Sequence, residues 1–270
     1  MSMTASAFAG LVTLLALMSA VWVASVVRRD VSIVDIWWSL AILAAACVYA
    51  GSADHLTPRG MVVLAAVGLW AIRLSAYLAW RGWGAPEDRR YGAMRARRPR
   101  FQWSSLFVVF WLQGALAWVI SLPLLAGLRG GQPHAPGLLD VVGAALFIVG
   151  FGFEAIGDWQ MARFKDEPGS QGRVCDRGLW RYTRHPNYFG EAVLWWGLWC
   201  LAGAGSGSGA AWTIVSPLLL TWLLLRVSGV RLLEADLLKR KPAYRDYVAR
   251  TSAFLPLPPR AESRSSGKPD

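Results

Sequence analysis

Apolar residues in this chain neither alternate with polar ones, as in a strand, nor form the single stripe of a surface helix. They come in long blocks separated by short polar stretches. Blocks of roughly twenty residues match the hydrocarbon core of a bilayer, and a helix crosses it cheaply because its backbone polar groups are satisfied internally. The blocks predict helices over residues 5–27, 31–50, 60–80, 103–127, 137–157, 188–204 and 210–230. The expected fold class is therefore all-α: a polytopic membrane protein, a seven-transmembrane-helix bundle forming a single domain over residues 1–254. The first block lacks a positively charged start, so it reads as a membrane helix and not as a cleaved signal peptide. Gly203–Gly209 predicts a flexible connector. The Pro-, Ser- and charge-rich stretch 255–270 predicts a disordered cytoplasmic tail.

The 55% hydrophobic content of the 270 residues and the mean hydropathy of +0.36 agree with the block pattern. A net charge of +11 first suggests nucleic acid, but its distribution argues otherwise. Of the 28 Lys and Arg, two lie in the first loop, seven in the 81–102 loop, six in the 158–187 loop and nine from Arg231 onward. Those 24 fall on one side of the membrane; only Arg59 and Arg129 lie in the alternate loops, and Arg73 and Arg226 lie within helices. The positive-inside rule then places the N-terminus outside and the C-terminus in the cytoplasm. The same charges can touch anionic lipid. The expected surroundings are a lipid bilayer and a lipophilic small molecule, with no nucleic acid and no protein partner. The three cysteines have no pairing or metal spacing, so no metal site is expected.

The densest chemistry lies in Gly178-Leu-Trp-Arg-Tyr-Thr-Arg-His-Pro-Asn-Tyr-Phe-Gly-Glu191, at the mouth of an apolar block. Polar groups at a membrane entrance are costly unless they bind something. Arg181, Tyr182, Arg184 and His185 precede Pro186, which suits a first helical turn. Asn187 and Glu191 then share one face, with Tyr188 beside them. An amide and a carboxylate together can grip a group having both donors and acceptors, such as a nicotinamide carboxamide or the amino-acid end of S-adenosylmethionine. Glu154, Asp158 and Lys165 mark one stripe of the fifth helix. Gly150, Gly152 and Gly157 on that helix predict close helix packing, because no strand precedes them. In the second helix Asp35 is an expensive carboxylate that needs a partner or a role. Arg73 and Tyr77, four residues apart in the third helix, are the expected neighbours: an Asp35–Arg73 ion pair locking two helices, or a group of catalytic residues polarising a substrate carbonyl.

The 178–191 signature resembles that of the bacterial uncharacterised branch of the steroid 5α-reductase superfamily. Val34-Asp35-Ile-Trp-Trp-Ser39, Glu87-Asp88-Arg-Arg-Tyr91, Phe110-Trp-Leu-Gln113, Asp158-Trp-Gln-Met-Ala-Arg-Phe-Lys165 and Tyr244-Arg-Asp-Tyr247 extend the resemblance from residue 34 to 247. It implies a seven-helix bundle, in a bacterial inner membrane, that binds NADPH from the cytosolic side and reduces a carbon–carbon double bond conjugated to a ketone. By similarity Asp158, Lys165, Tyr182, Asn187 and Glu191 are cofactor residues. Steroid reductases of the group hold the ketone with a second-helix acid and a third-helix tyrosine; the matching acid is Asp35 and the nearest tyrosine Tyr77. The core Arg184-His-Pro-Asn-Tyr-Phe-Gly190 also resembles membrane methyltransferases of the isoprenylcysteine and phospholipid type, where it serves S-adenosylmethionine. The motif alone does not separate the two cofactors; the Asp35 motif and the helix count favour the reductase. A methyltransferase of a lipid or prenyl thiol and a non-enzymatic lipid-binding protein are the rival expectations.

Overall fold

Ser2 accepts a hydrogen bond from the Ala5 N–H (3.1 Å) and so opens α1 (Met3–Arg28), which Arg29 ends in the left-handed region (φ 56°). The computed structural model describes residues 1–129, 135–227 and 230–260. After α2 (Ile33–Gly51), the Thr57 hydroxyl accepts from the Gly60 N–H (3.1 Å) and Pro58 occupies the first turn of α3 (Pro58–Gly82). That pairing of a hydroxyl cap with a first-turn proline is a strong helix start. A short α4 (Arg89–Arg97) follows, capped by Asp88. Next, α5 (Phe101–Ser105), a π-helical turn (Leu106–Trp111) and α6 (Leu112–Arg129) form one run. The remaining helices are α7 (Leu138–Asp166), α8 (Pro186–Ser206), α9 (Val215–Trp222), α10 (Val230–Arg240) and α11 (Tyr244–Arg250). Among the described residues there is no strand, only an isolated bridge between Thr183 and Ser252.

Among the described residues six helical runs are long and apolar enough to cross a membrane: Met3–Arg28, Ile33–Gly51, Pro58–Gly82, Phe101–Arg129, Leu138–Asp166 and Pro186–Val227. The chain is an all-α integral membrane protein. The expected helices 188–204 and 210–230 lie in the last run up to Val227; residues 228 and 229 are outside the described residues, and Val230 opens α10. The glycine-rich connector expected between them is helical instead. α8 runs through it to Ser206, whose hydroxyl donates to the Ala126 carbonyl (2.7 Å), and a 3-10 turn continues from Gly207 to Ile214. Small residues favour this because they let backbones approach: a Cβ on Gly127 would lie 3.0 Å from the Ala202 Cα. The tail is also corrected in part. Residues 255–260 are held in place, with the Leu257 N–H donating to the Tyr182 carbonyl (3.0 Å) and the Arg260 N–H to that of Arg250 (2.8 Å). The rest of the expected tail, from residue 261, lies outside the described residues.

The chain divides into two compact units, one of residues 1–147 and 196–219, the other of 148–195 and 220–270. In the first, α2 packs against α1, α3 and α6. Its core includes Leu14, Met18, Ile42, Trp70 and Ile120, all fully buried. Tyr49 closes over Gly10, where a Cβ would come within 2.5 Å of its hydroxyl, and that hydroxyl hydrogen-bonds the Ser121 Oγ (3.0 Å).

In the second unit α7 and α8 touch backbone to backbone. A Cβ on Gly150 would lie 2.6 Å from the Gly190 carbonyl oxygen, and one on Gly190 2.5 Å from that of Gly150. Gly157 faces the ring of Pro186 at 3.1 Å. Gly150 and Gly157 therefore serve close helix packing, whereas Gly152 faces open space.

Candidate functional site

In the first unit three separated motifs converge on Asp35, in the opening turn of α2. The Tyr91 hydroxyl donates to its Oδ1 (2.8 Å) and Arg90 Nη2 to its Oδ2 (2.7 Å). Gln113 Nε2 in turn donates to the Tyr91 hydroxyl (3.1 Å). Gln113 lies two residues past the end of the π-helical turn; such turns shift the helical register and recur at functional sites. The segment before α4 is pinned to the start of α2 by Glu87, which accepts from the Val31 N–H (2.9 Å) and from Arg95 (2.7 and 3.0 Å). The Asp88 N–H donates to the Ser32 hydroxyl (2.7 Å), and the Asp88 carboxylate accepts from Arg90 (3.0 Å).

Burial, reinforced by the Asp35 charge, pushes the Tyr91 phenol well above the ordinary tyrosine range. It therefore stays protonated and acts as a donor. Burial opposes the charge on Arg90, but Asp35 and Asp88 outweigh it and hold its pKa above the usual arginine value. For Glu87 and Asp88 burial is likewise outweighed, by Arg95 and Arg90 respectively, so both stay below the usual carboxylate range.

This arrangement corrects the expected partnership. Asp35 is held by Arg90 and Tyr91, not by Arg73. Arg73 and Tyr77 are both half-buried on α3, and the Tyr77 ring lies tilted against Trp80 (6.2 Å) with Arg81 over it (5.6 Å). The sequence carried the signal in Glu87-Asp88-Arg-Arg-Tyr91, but no periodicity links a loop motif to a carboxylate 55 residues earlier.

In the second unit the signature folds as a short 3-10 turn (Gly178–Arg181) leading into α8. Gly178 has φ 59°, and a Cβ there would press within 2.6 Å of the Gln160 amide, whose oxygen accepts from the Leu179 N–H (2.9 Å). Trp180 donates its indole N–H to the Gly157 carbonyl (3.0 Å), and the Tyr247 hydroxyl donates to the Trp180 carbonyl. Arg184 and His185 are buried, and both meet Glu234 of α10. Arg184 donates to Glu234 in bidentate fashion (2.7 and 3.1 Å) and to the carbonyls of Val248 (3.0 Å) and Thr251. His185 Nε2 lies 3.1 Å from Glu234 Oε1, with its ring stacked on Tyr188 (5.4 Å, 4° between planes). Burial would raise the Glu234 pKa, but hydrogen bonds from His185 and Arg184, with their charges, bring it below the ordinary glutamate value.

Arg184 and His185 thus dock the C-terminal segment. Glu234 was missed because one acid on an amphipathic helix carries no distinguishing pattern. Asn187 and Asp158 do come together, with Asn187 Nδ2 donating to Asp158 Oδ1 (3.2 Å). Asp158 and Glu154 are buried on α7, Glu191 and Tyr188 are half-buried on α8, and Lys165, Arg181 and Tyr182 are exposed. A cavity of ≈ 330 Å³ opens beside Arg184, walled by Val248–Ala253, Leu257, Pro258 and Arg260; Asn187 and Glu191 do not line it.

No solved structure matches the chain. An uncharacterized protein of Schizosaccharomyces pombe is 26% identical over 274 residues, covering 92% of this chain and 78% of that protein. That relative is a yeast protein, so the match does not tie the chain to bacteria. Residues 21–251, spanning both clusters, match the family described as a protein of unknown function, DUF1295, and the chain belongs to that family, itself part of the steroid 5-alpha-reductase-like group.

Proposed function

We propose that the chain is an NADPH-dependent reductase of a carbon–carbon double bond conjugated to a ketone, in a lipophilic steroid-like or isoprenoid substrate. The observation that carries this reading is the 2.8 Å contact between Tyr91 and Asp35. An acid from the second helix and a phenol are the pair that the resemblance to steroid reductases calls for, with Tyr91 taking the place expected of Tyr77. Bound NADPH supplies the hydride taken up by the β-carbon. The chain's own task at the other end of the enone is to stabilise the negative charge that develops on the carbonyl oxygen. Tyr91, kept as a phenol, turns its single O–H from Asp35 to that oxygen when substrate binds; Gln113 holds the phenol oxygen in place, and Arg90 keeps the Asp35 carboxylate paired. The α-carbon then takes a proton from water.

The second unit's groups suit the cofactor by their chemistry. Glu154, Asp158 and Glu191 are acceptors for ribose hydroxyls and carboxamide N–H groups, Asn187 is both donor and acceptor, and Lys165 and Arg181 are exposed cations for phosphate. Calorimetry on the purified chain in mild detergent tests this. NADPH should bind, and Asn187→Ala should weaken binding by roughly 1–3 kcal/mol for a lost hydrogen bond in such a site. Binding of S-adenosylmethionine in place of NADPH would replace the reductase with a methyltransferase.

We also infer seven crossings, with the N-terminus outside and the C-terminus cytoplasmic. The 42-residue run Pro186–Val227 measures about 63 Å as a straight helix, twice a hydrocarbon core of about 30 Å. Gly207, with φ 57°, breaks that run near its middle. Seven crossings also put 24 of the 28 basic residues on one side.

A further inference from the structure

The stretch between Trp80 and Trp103 joins the end of α3 to the start of α5, two helices that cross the membrane, so it lies at one membrane face. Its carboxylates are spent internally, Glu87 on Arg95 and Asp88 on Arg90. Four arginines of the same stretch, Arg89, Arg97, Arg98 and Arg100, are exposed and form no ion pair among the described residues. On either side of them in the chain stand indoles that folding leaves uncovered: Trp80 is 61% exposed, Trp83 88% and Trp103 58%. Trp103 is fixed against α1 by Trp22, at 5.7 Å between rings, and the Trp22 indole N–H donates to the Gln102 carbonyl (2.9 Å). Arg29, at the end of α1, shares a small crevice with Arg95 and Gln102, so the basic face continues onto the first helix.

Cations without counter-ions, set among tryptophans at a bilayer boundary, complement one kind of surface. The indole sits at headgroup level, and the guanidinium takes a phosphate through paired N–H groups. We propose that this face is a binding site for anionic phospholipid headgroups, with Arg97, Arg98 and Arg100 as the phosphate contacts and Trp83 and Trp103 as the anchors. The site selects anionic from zwitterionic lipid because the net positive charge here is left unneutralised by the protein. It is independent of any catalytic role of Asp35 or Tyr91.

The test uses the full chain in nanodiscs of phosphatidylcholine containing a minority of phosphatidylglycerol. Native mass spectrometry reads the ratio of the two lipids retained by the protein against their bulk ratio. The parent should enrich phosphatidylglycerol. The triple variant Arg97→Gln/Arg98→Gln/Arg100→Gln should lose most of that enrichment, at roughly five-fold per arginine for contacts near the surface. The corresponding lysine variant should keep the greater part. A control losing three charges elsewhere, Arg163→Gln/Lys239→Gln/Arg245→Gln, should behave as the parent. Undiminished enrichment in the first variant, or an equal loss in the control, overturns the site. So does displacement of the bound lipid by RNA or heparin at physiological salt, which would assign the face to a soluble polyanion.

Discussion

Glu234→Ala tests how the C-terminal segment is held. The substitution removes both oxygens that accept from Arg184 (2.7 and 3.1 Å) and the partner of His185 (3.1 Å). Arg184 is only 8% exposed, so its charge would be left with the carbonyls of Val248 and Thr251 and the Tyr244 hydroxyl. Removing one partner of a buried pair costs about 3–5 kcal/mol. These remaining acceptors and the partial exposure of Glu234 place this case near the lower bound, about 3 kcal/mol, a fall in Tm of roughly 6–12 °C for a chain of this size. Glu234→Gln keeps one acceptor and loses the charge, so it should cost about half as much. The pH dependence has a defined sign. Glu234 titrates lower in the folded state than in the unfolded, so its contribution is complete above the unfolded value and is lost as pH falls through the folded one. The Tm gap between the parent and Glu234→Gln should therefore hold from about pH 8 to 6 and narrow below about pH 4.5. Scanning fluorimetry in mild detergent, with proteolysis of the 241–260 segment as a local readout, measures both. An unchanged Tm in Glu234→Ala, or a gap that widens on acidification, would refute the clamp.

Gly190→Ala should destabilise by at least about 1–3 kcal/mol, since its Cβ would meet backbone atoms of α7 that cannot yield; Gly152→Ala, facing open space, should be neutral or slightly stabilising. Thermal melts of the two variants should separate, and equal melts would remove the close α7–α8 contact. Under the reductase reading, Tyr91→Phe should lower turnover by roughly 10²–10³-fold with NADPH affinity unchanged, and Asp35→Asn should retain more activity than Asp35→Leu. Full turnover in Tyr91→Phe would leave the pair a purely structural one. Reporter fusions after Arg129 and after Arg260 should report opposite compartments; a shared compartment would contradict seven crossings.

The long helices were legible because each is an apolar block, and the start of α8 because Pro186 carries its own start signal. The α7–α8 contact was legible in kind, since Gly150 and Gly157 had no strand before them to suggest a nucleotide loop. The partners of Asp35 were not. Helical spacing orders residues within one helix and pointed to Arg73 and Tyr77, whereas Arg90 and Tyr91 reach Asp35 only because Glu87 and Asp88 fasten their loop to α2. Glu234 was hidden for a related reason: a buried charge pair is a property of two segments, and neither Arg184 nor Glu234 announces the other. The 203–209 stretch misled because glycine and serine suit a loose linker and close helix packing equally.

Neither compact unit is a contiguous piece of chain: the first is left at Phe147 and re-entered at Trp196, and the second resumes at Leu220. This has a consequence for biogenesis. When the ribosome has delivered α7 and the opening of α8, Trp180, Thr183 and Arg184 are already in place, but their partners Tyr247, Phe254, Glu234 and Thr251 are not yet made. A newly inserted chain must hold an unmatched guanidinium near the bilayer until the segment from Glu234 onward emerges. Nascent chains ending before Glu234 carry that guanidinium without its carboxylate, and a clone of either half of the chain cannot contain the unit it cuts through.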